Sequence, residues 1–437
     1  MRDVAASDWA EVKVADVVER HFCGPSPDCE ERPVFDEEEW GVLKTTAITW
    51  SGWNQDAHKV LPRSYWGQEA IEVKAGDVLV TKAGPRHRVG VVTHVPSTRP
   101  QLVVSGKMIG LRPRSDAVLP EVLAGLLALS KPQKYIHDRT TGMAESQVNF
   151  ANDVLLNTPL RIPPRAEQIA IARIGNALDT SIHQTEAIIE KLKQIKQGLL
   201  HDLLTRGIDA DGELRPPKSQ APHLYKDSPL GGIPANWSDF GLDEMVAAPI
   251  CYGIVQVFAF VPDGVPVLAI KDLLGDYVTG VHRTAKSIDA EYSRSRVKPG
   301  DVLLSIKGTI GRVGVVPDHY AGNISRDMAR LRPGLTIRSG FLCQLLRSQI
   351  GQRILGLAQV GTTRAELSIG PLRKLRFAVP DPSEQAQIEE ALSAHDRRVM
   401  AEEAALSKLR KEKIGLMDDL LTGRVRVTPL LAESTAA

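Results

Sequence analysis

Gly198–Thr205 reads GLLHDLLT and Gly415–Thr422 reads GLMDDLLT, and these two octets decide the architecture. Working outward, each is preceded by a Glu-Gln pair behind prolines: Glu167-Gln168 after Pro163-Pro164, and Glu384-Gln385 after Pro380 and Pro382. Further out, Met108–Pro113 (MIGLRP) pairs with Met328–Pro333 (MARLRP), and Arg88–Val92 (RVGVV) recurs as Arg312–Val316. Furthest out, Val73–Val80 (VKAGDVLV) matches Val297–Leu304 (VKPGDVLL). The offset drifts from 224 to 217 while the order is kept. Self-similarity of this kind marks a duplicated structural unit, so each copy takes about half of the chain.

Each copy has two parts. The first mixes short β-branched runs with Gly and Pro, as in GDVLV-TKAG and GDVLLSIKG, and reads as strands closed by tight turns. The second is a long helical pattern beginning just after a proline. In copy one Ile171, Ile174, Leu178, Ser181, Thr185, Ile188, Leu192, Ile195 and Leu199 alternate by three and four. In copy two Leu392, His395, Val399, Glu402, Leu406, Leu409, Lys413, Leu416 and Leu420 do the same less cleanly. Sustained 3-4 spacing is a coiled-coil seam. A helix from Arg165 to Arg206 would be roughly 60 Å long at 1.5 Å per residue.

Two such helices bury their stripes most simply against each other. Antiparallel packing is preferred, because parallel helices would stretch the Pro-rich segment Gly207–Trp237 back along their whole length. The class is therefore α+β: two similar globular heads separated by two long antiparallel helices, with pseudo-twofold internal repetition. The boundaries are a first head over 1–162, a helix over 163–206, a linker over 207–236, a second head over 237–380, a helix over 381–422 and a tail over 423–437.

The 437 residues carry 54 Lys+Arg against 53 Asp+Glu, a formal charge of +1 that, taken as a single sum, disfavours a polyanion partner. Split along the repeat, residues 41–150 carry +6 and residues 241–380 carry +7, leaving −12 for everything else. Two basic heads at a fixed separation suit a reader of two half-sites on a duplex. With 43% hydrophobic residues the chain is neither disordered nor collagenous. No apolar run approaches the ~18–20 residues of a membrane span. Cys23, Cys29, Cys251 and Cys343 fit free thiols in a reducing cytoplasm.

Catalytic motifs are missing. Gly280–Ser287 (GVHRTAKS) misses a phosphate loop because Ala285 stands where the glycine before Lys286 should be. Gly308, Gly311 and Gly314 are not spaced as a dinucleotide fingerprint, and His87 stands in copy one where copy two has Gly311. Glu72 and Lys74 suggest the end of a nuclease site, but Arg296 takes the place of Glu72 in copy two. His21, Cys23 and Cys29 lack a fourth ligand at a metal spacing. Neither adenine-methyltransferase motif is present.

The chain resembles the specificity subunits of type I restriction-modification systems. The resemblance rests on Lys193–Asp209, Asp211–Arg215 with Tyr225–Trp237 (YKDSPLGGIPANW), Tyr252–Gln256 with Gly264–Leu273, Lys307–Val315 (KGTIGRVGV) and Leu416–Val427 (LMDDLLTGRVRV). Copy one departs from it at Phe22–Cys29 and through the acidic Asp28–Glu39. It implies a non-catalytic, cytoplasmic subunit whose heads are DNA-recognition domains reading the two parts of a split, asymmetric duplex sequence. The helices would set the gap and dock two methyltransferase subunits. The chain itself would hold no cofactor: S-adenosylmethionine belongs to the methyltransferase, and ATP and Mg to partner restriction subunits that translocate and cut.

Lys82, Arg86 and Arg88 in the first head, and Lys307, Arg312 and Arg326 in the second, lie at or near glycine turns and are candidate phosphate contacts. Candidate base readers are Asn54, Gln55, Gln147, Gln256 and Arg364, whose forked groups match base edges. Tyr252 joins them through its loop with Gln256. Trp40, Trp50, Trp53 and Trp66 form either a stacking platform or, preferably, a satellite core. The heads differ most over Thr45–Gln68 and Asp276–Ser295, so they should read different sequences. Two other readings stay open: an interaction scaffold tethering proteins through its coiled coil, and a DNA reader for another defence system.

Overall fold

The computed structural model describes residues 8–256, 259–360 and 366–429. The chain divides into two compact units, 1–185 with 405–437, and 186–404. Each is an α+β head carrying half of each long helix.

In the first unit a four-stranded antiparallel sheet runs in the order Val18–Phe22, Met108–Pro113, Val78–Thr81, Val92–His94. Alternation along the strands splits the core in two. Val78, Val80, Ile109 and Leu111 pack with Val122, Leu123, Leu126 and Leu127 of the helix Pro120–Ala128. Leu79 and Met108 face the other way, onto Leu43, Ile48 and Leu102. The second unit repeats the order with Val246–Tyr252, Met328–Pro333, Val302–Ser305 and Val313–Val315. Val302, Leu304, Ala329 and Leu331 pack on Phe341, Leu342 and Leu345, while Leu303 and Met328 face Leu268 and Ile324.

The VKxGD motif earns its repetition through chemistry. Gly76 (φ +89°) and Gly300 (φ +82°) make the turn. Asp77 then accepts from the Lys74 amide at 2.7 Å and from Arg112 at 2.8 and 2.9 Å. Asp301 does the same with Lys298, at 2.8 Å, and Arg332, at 2.8 Å twice. The glutamines before each long helix are also twins. Gln168 accepts from Leu119 N and donates to the Ala117 and Pro163 carbonyls; Gln385 accepts from Arg338 N and donates to those of Thr336 and Pro380.

The long helices span Arg165–Thr205 and Pro382–Thr422, 41 residues each. They run antiparallel in both units. In the first, Lys413 reaches Asp179 and Gly175 lies against Met417. In the second, Lys196 meets Asp396 at 2.5 Å and Lys193 meets Glu403 at 2.7 Å. The seam of the second helix is largely as predicted, with Leu392, Val399, Leu406 and Leu420 buried. The first helix differs: the buried line passes through Ile171, Ile182, Ile189 and Leu192, and Ser181, Ile188 and Ile195 sit one position off it, exposed. Adjacent isoleucines at 188 and 189 make either line apolar at that point; Lys196, in register with the buried line, pairs with Asp396.

Strand pairing also corrects the repeat. Thr81 N donates to Val91 O and Gly90 N to Thr81 O, just as Ser305 N donates to Arg312 O and Gly311 N to Ser305 O. Gly90 is thus equivalent to Gly311, and Val92 to Val313. The identical RVGVV pentapeptides are out of frame by three residues, because the first head carries three extra residues in the turn holding Arg86–Arg88, a short 3-10 helix.

The stretch expected as a linker, 207–236, is built into the second unit. Ile208, Ala221 and Ile233 are buried there, Tyr225–Ser228 pairs with Gly231–Pro234, and the neighbouring Trp237 is fully enclosed. Its Arg215 joins Glu384 in a buried ion pair. The first unit has the counterpart: Glu167 is bound by Arg426, which also holds Asp8 at 2.9 and 3.0 Å.

Candidate nucleic-acid interface

In the first head, Ala83–Gly84 adds to the hairpin Thr141–Ala144/Gln147–Asn149 through the pairs Ala83–Asn149 and Gly84–Val148. This pairing brings Lys82, Arg86 and Gln147 to one edge. Lys82, Arg139, Thr141 and Asn149 line an open cleft of ≈ 610 Å³ whose walls hold two cations and no carboxylate. Lys82 Nζ donates to Asn152 Oδ1 at 3.3 Å, near Cys23 Sγ at 3.8 Å. The Arg139 guanidinium stacks 3.7 Å from the centre of the Tyr135 ring. Sequence reasoning missed Arg139; the loop pairing that brings it beside Lys82 has no local signature.

Arg86 is exposed and paired with Glu145, Nε to Oε1 at 3.0 Å. Arg88 points inward, and one guanidinium nitrogen donates to the carbonyls of Thr45 at 2.5 Å and Ile48 at 2.7 Å. Gln147 is exposed. Asn54 and Gln55 hold their own surroundings: Asn54 Oδ1 accepts from Asp56 N, and Gln55 Oε1 from Arg99 N. Of the tryptophans, Trp40 is buried with Val42, Leu61 and Val103, and Trp66 packs on that cluster and donates to Leu61 O. Trp53 donates to Ser97 O, and Trp50 stands out of the core, 56% exposed.

In the second head the structure brings together Tyr252, Gln256, Lys307 and Arg326. Arg326 N donates to Ile254 O, between Tyr252 and Gln256, and Lys307 N lies on Asp327 O. Tyr252 and Gln256 are exposed. Lys307 Nζ pairs with Glu366 at 3.0 Å, and Arg326 lies 3.7 Å from Asp327. Arg312 lies beside Arg347 and Gln352 in a shallow cleft of ≈ 270 Å³. Arg364 lies outside the described residues. In the variable stretch, Asp276 accepts from the Thr279 hydroxyl at 2.6 Å and from the Thr279 and Val278 amides, which together hold its carboxyl down to about 2. Among the described residues no cluster of three or more His, Cys, Asp or Glu could hold a metal.

Two heads of one topology, each built on a frame of buried Asp–Arg pairs with exposed loops bearing Lys and Arg, define a protein made by internal duplication. Residues 236–411 match the family model of the type I restriction modification DNA specificity domain. The chain is 32% identical over 197 residues to the specificity subunit of the type I restriction enzyme EcoEI of Escherichia coli, covering 42% of this chain and 33% of that one. Against the EcoBI specificity subunit of the same species it is 29% identical over 249 residues, 55% of this chain and 52% of that one. The matches thus span a third and about half of these two relatives. A putative MjaX specificity subunit of Methanocaldococcus jannaschii matches at 26% over 357 residues, 80% of this chain and 79% of that one.

Among solved structures, a chain from work on assembly and conformational transition of the type I R-M system shares the fold with a TM-score of 0.61 at 17% identity, covering 96% of this chain and 99% of that one. The type I S subunit from M. genitalium matches with a TM-score of 0.51 at 13% identity, covering 96% and 97%. Residues 236–411 thus match a type I restriction modification DNA specificity domain, and the chain is similar to type I specificity subunits over as much as 80% of its length.

Proposed function

We propose that this chain is the sequence-specific DNA-recognition subunit of a type I restriction-modification complex, each head reading one part of a bipartite, asymmetric target. The observation that carries this reading is the pair of topologically equivalent heads that share their buried frame and differ in their exposed, cationic loops. In this reading the chain is a non-catalytic subunit, like the specificity subunits it resembles. Lys82, Arg86, Lys307, Arg312 and Arg326 are assigned to phosphates, and Gln147, Tyr252, Gln256 and Arg364 to bases.

The long helices dock two methyltransferase subunits, which supply S-adenosylmethionine. Ile188 (45% exposed), Ile195 (47%), Met400 (67%) and Ile414 (72%) offer apolar contacts off the seam. Restriction subunits using ATP and Mg complete the assembly. No described helix is long and apolar enough to cross a membrane.

The test is modified-base mapping of the host genome, paired with salt titration of duplex binding by the complex. One split motif bearing modified adenine in both parts is expected, with affinity falling steeply as salt rises. A matched seven-residue insertion in each helix, about 10 Å and so about three base pairs, should lengthen the gap and keep both half-site sequences. Half-sites that change their letters, or affinity indifferent to salt, would overturn the reading.

A further inference from the structure

The three extra residues of the first head do more than lengthen a turn. In the second head the turn between Ser305 and Gly311 closes on itself: Ser305 Oγ donates to Thr309 O at 2.5 Å and accepts from Arg312 N at 2.8 Å. In the first head the equivalent Thr81 hydroxyl is buried without a hydrogen-bond partner among the described residues. The longer turn is held from outside instead. Arg86 bonds Glu145 twice over, backbone N to O at 3.0 Å and side chain to side chain at 3.0 Å, which fixes the tip of the Thr141–Asn149 hairpin. Two residues on, Arg88 reaches the Thr45 and Ile48 carbonyls, at 2.5 and 2.7 Å, which fixes the start of the hairpin Ile48–Thr49/Gly52–Trp53 carrying the exposed Trp50. Thr45–Gln68 is also where the two heads diverge most.

We infer that Arg88 is a positioning residue for sequence recognition: with Arg86 it ties the Trp50 and Gln147 hairpins of the first head into one reading edge. A guanidinium turned inward onto two carbonyls holds its own loop in place, and so decides where neighbouring side chains meet base edges. The inference rests on the proposed function, since it concerns how that same surface reads DNA.

The experiment is modified-base mapping in the native host carrying wild-type, Arg88→Ala, Arg88→Lys or Trp50→Ala alleles, with thermal unfolding of each purified full chain. For Arg88→Ala and Trp50→Ala, preference at one or more positions of one half-site should fall about tenfold, the scale of one lost base contact, while the other half-site keeps every letter. Arg88→Lys should retain much of the preference, because an ammonium still donates to one carbonyl. An unchanged motif in Arg88→Ala overturns the inference. If modification is abolished, selection of randomised duplexes by the purified chain decides: retention of the other half-site by a folded protein supports the assignment, and loss of both halves with unfolding overturns it. A wild-type allele that yields no split motif refutes the function itself, a separate result.

Discussion

Arg215 and Glu384 face each other as a buried bidentate pair, Nη1 to Oε1 at 2.5 Å and Nη2 to Oε2 at 2.9 Å, although 169 residues separate them. The same carboxylate accepts from Trp237 Nε1 at 3.0 Å and from Ile208 N at 2.9 Å. It is the point at which the segment after one helix is bound to the beginning of the other.

Removing one member leaves an uncompensated buried charge, and that cost exceeds what the pair contributes net. Arg215→Ala and Glu384→Ala should each destabilise the second unit by about 3–5 kcal/mol. Chemical denaturation with Trp237 fluorescence as the probe checks this; a loss below about 1 kcal/mol, the scale of an exposed pair, would place the pair in solvent.

The seam of the first helix separates two adjacent isoleucines. Ile189 is 6% exposed and Ile188 45%. Ile189→Ala should cost about 2 kcal/mol or more, and Ile188→Ala within about 0.5 kcal/mol of nothing. Melting curves of the two variants side by side decide which residue lies in the seam.

Glycine at 311 is required by both backbone and space. Its φ is +83°, and a Cβ would stand 2.2 Å from Gln352 Oε1, on the side chain that donates to Gly311 O and Leu346 O. Gly311→Ala should cost more than the ~1 kcal/mol of an ordinary left-handed position. Gly198, inside a helix with open space around its Cα, should respond in the opposite direction, gaining about 0.5–1 kcal/mol as alanine. Opposite signs in equilibrium unfolding are the expected outcome.

Glu39 supplies a pH signature. The Arg32 guanidinium beside it, with help from the Phe35 amide, holds its carboxyl down to about 2, against an ordinary 4.5. A depressed carboxylate stabilises the folded state fully above its unfolded value. The contribution fades as pH falls from about 4.5 through about 2. Carbon NMR of the side-chain carboxyl should show Glu39 still ionised at pH 3.5, and Arg32→Gln should return its midpoint toward 4.5.

The repeat, the two long helices and their antiparallel sense were legible because they rest on periodicity and on paired motifs such as GDVLV and GDVLL. What stayed hidden depended on partners remote in sequence. RVGVV is a true repetition of letters placed in two different frames, and only strand pairing at Thr81 and Ser305 shows the slip. Ile188 fits a heptad as well as Ile189 does, and local spacing does not say which of the two lies in the seam. Arg88 reads as a free cation at a glycine turn, since nothing in sequence announces that its acceptors are main-chain carbonyls 40 and 43 residues away. The segment 207–236 has a linker's composition, yet its prolines and glycines shape a docked hairpin.

The latch of the first unit has a consequence for biosynthesis. Glu167 is bound by Arg426, 259 residues downstream, and Asp8 by the same arginine, 418 residues downstream. At ordinary ribosomal speed the first unit waits on the order of 10–50 s between the appearance of Glu167 and that of its counter-ion. During that interval the nascent chain carries an unmatched carboxylate at a site built to bury it. Any message cut short upstream of Arg426 therefore yields a polypeptide whose first-made half is the half left unfinished.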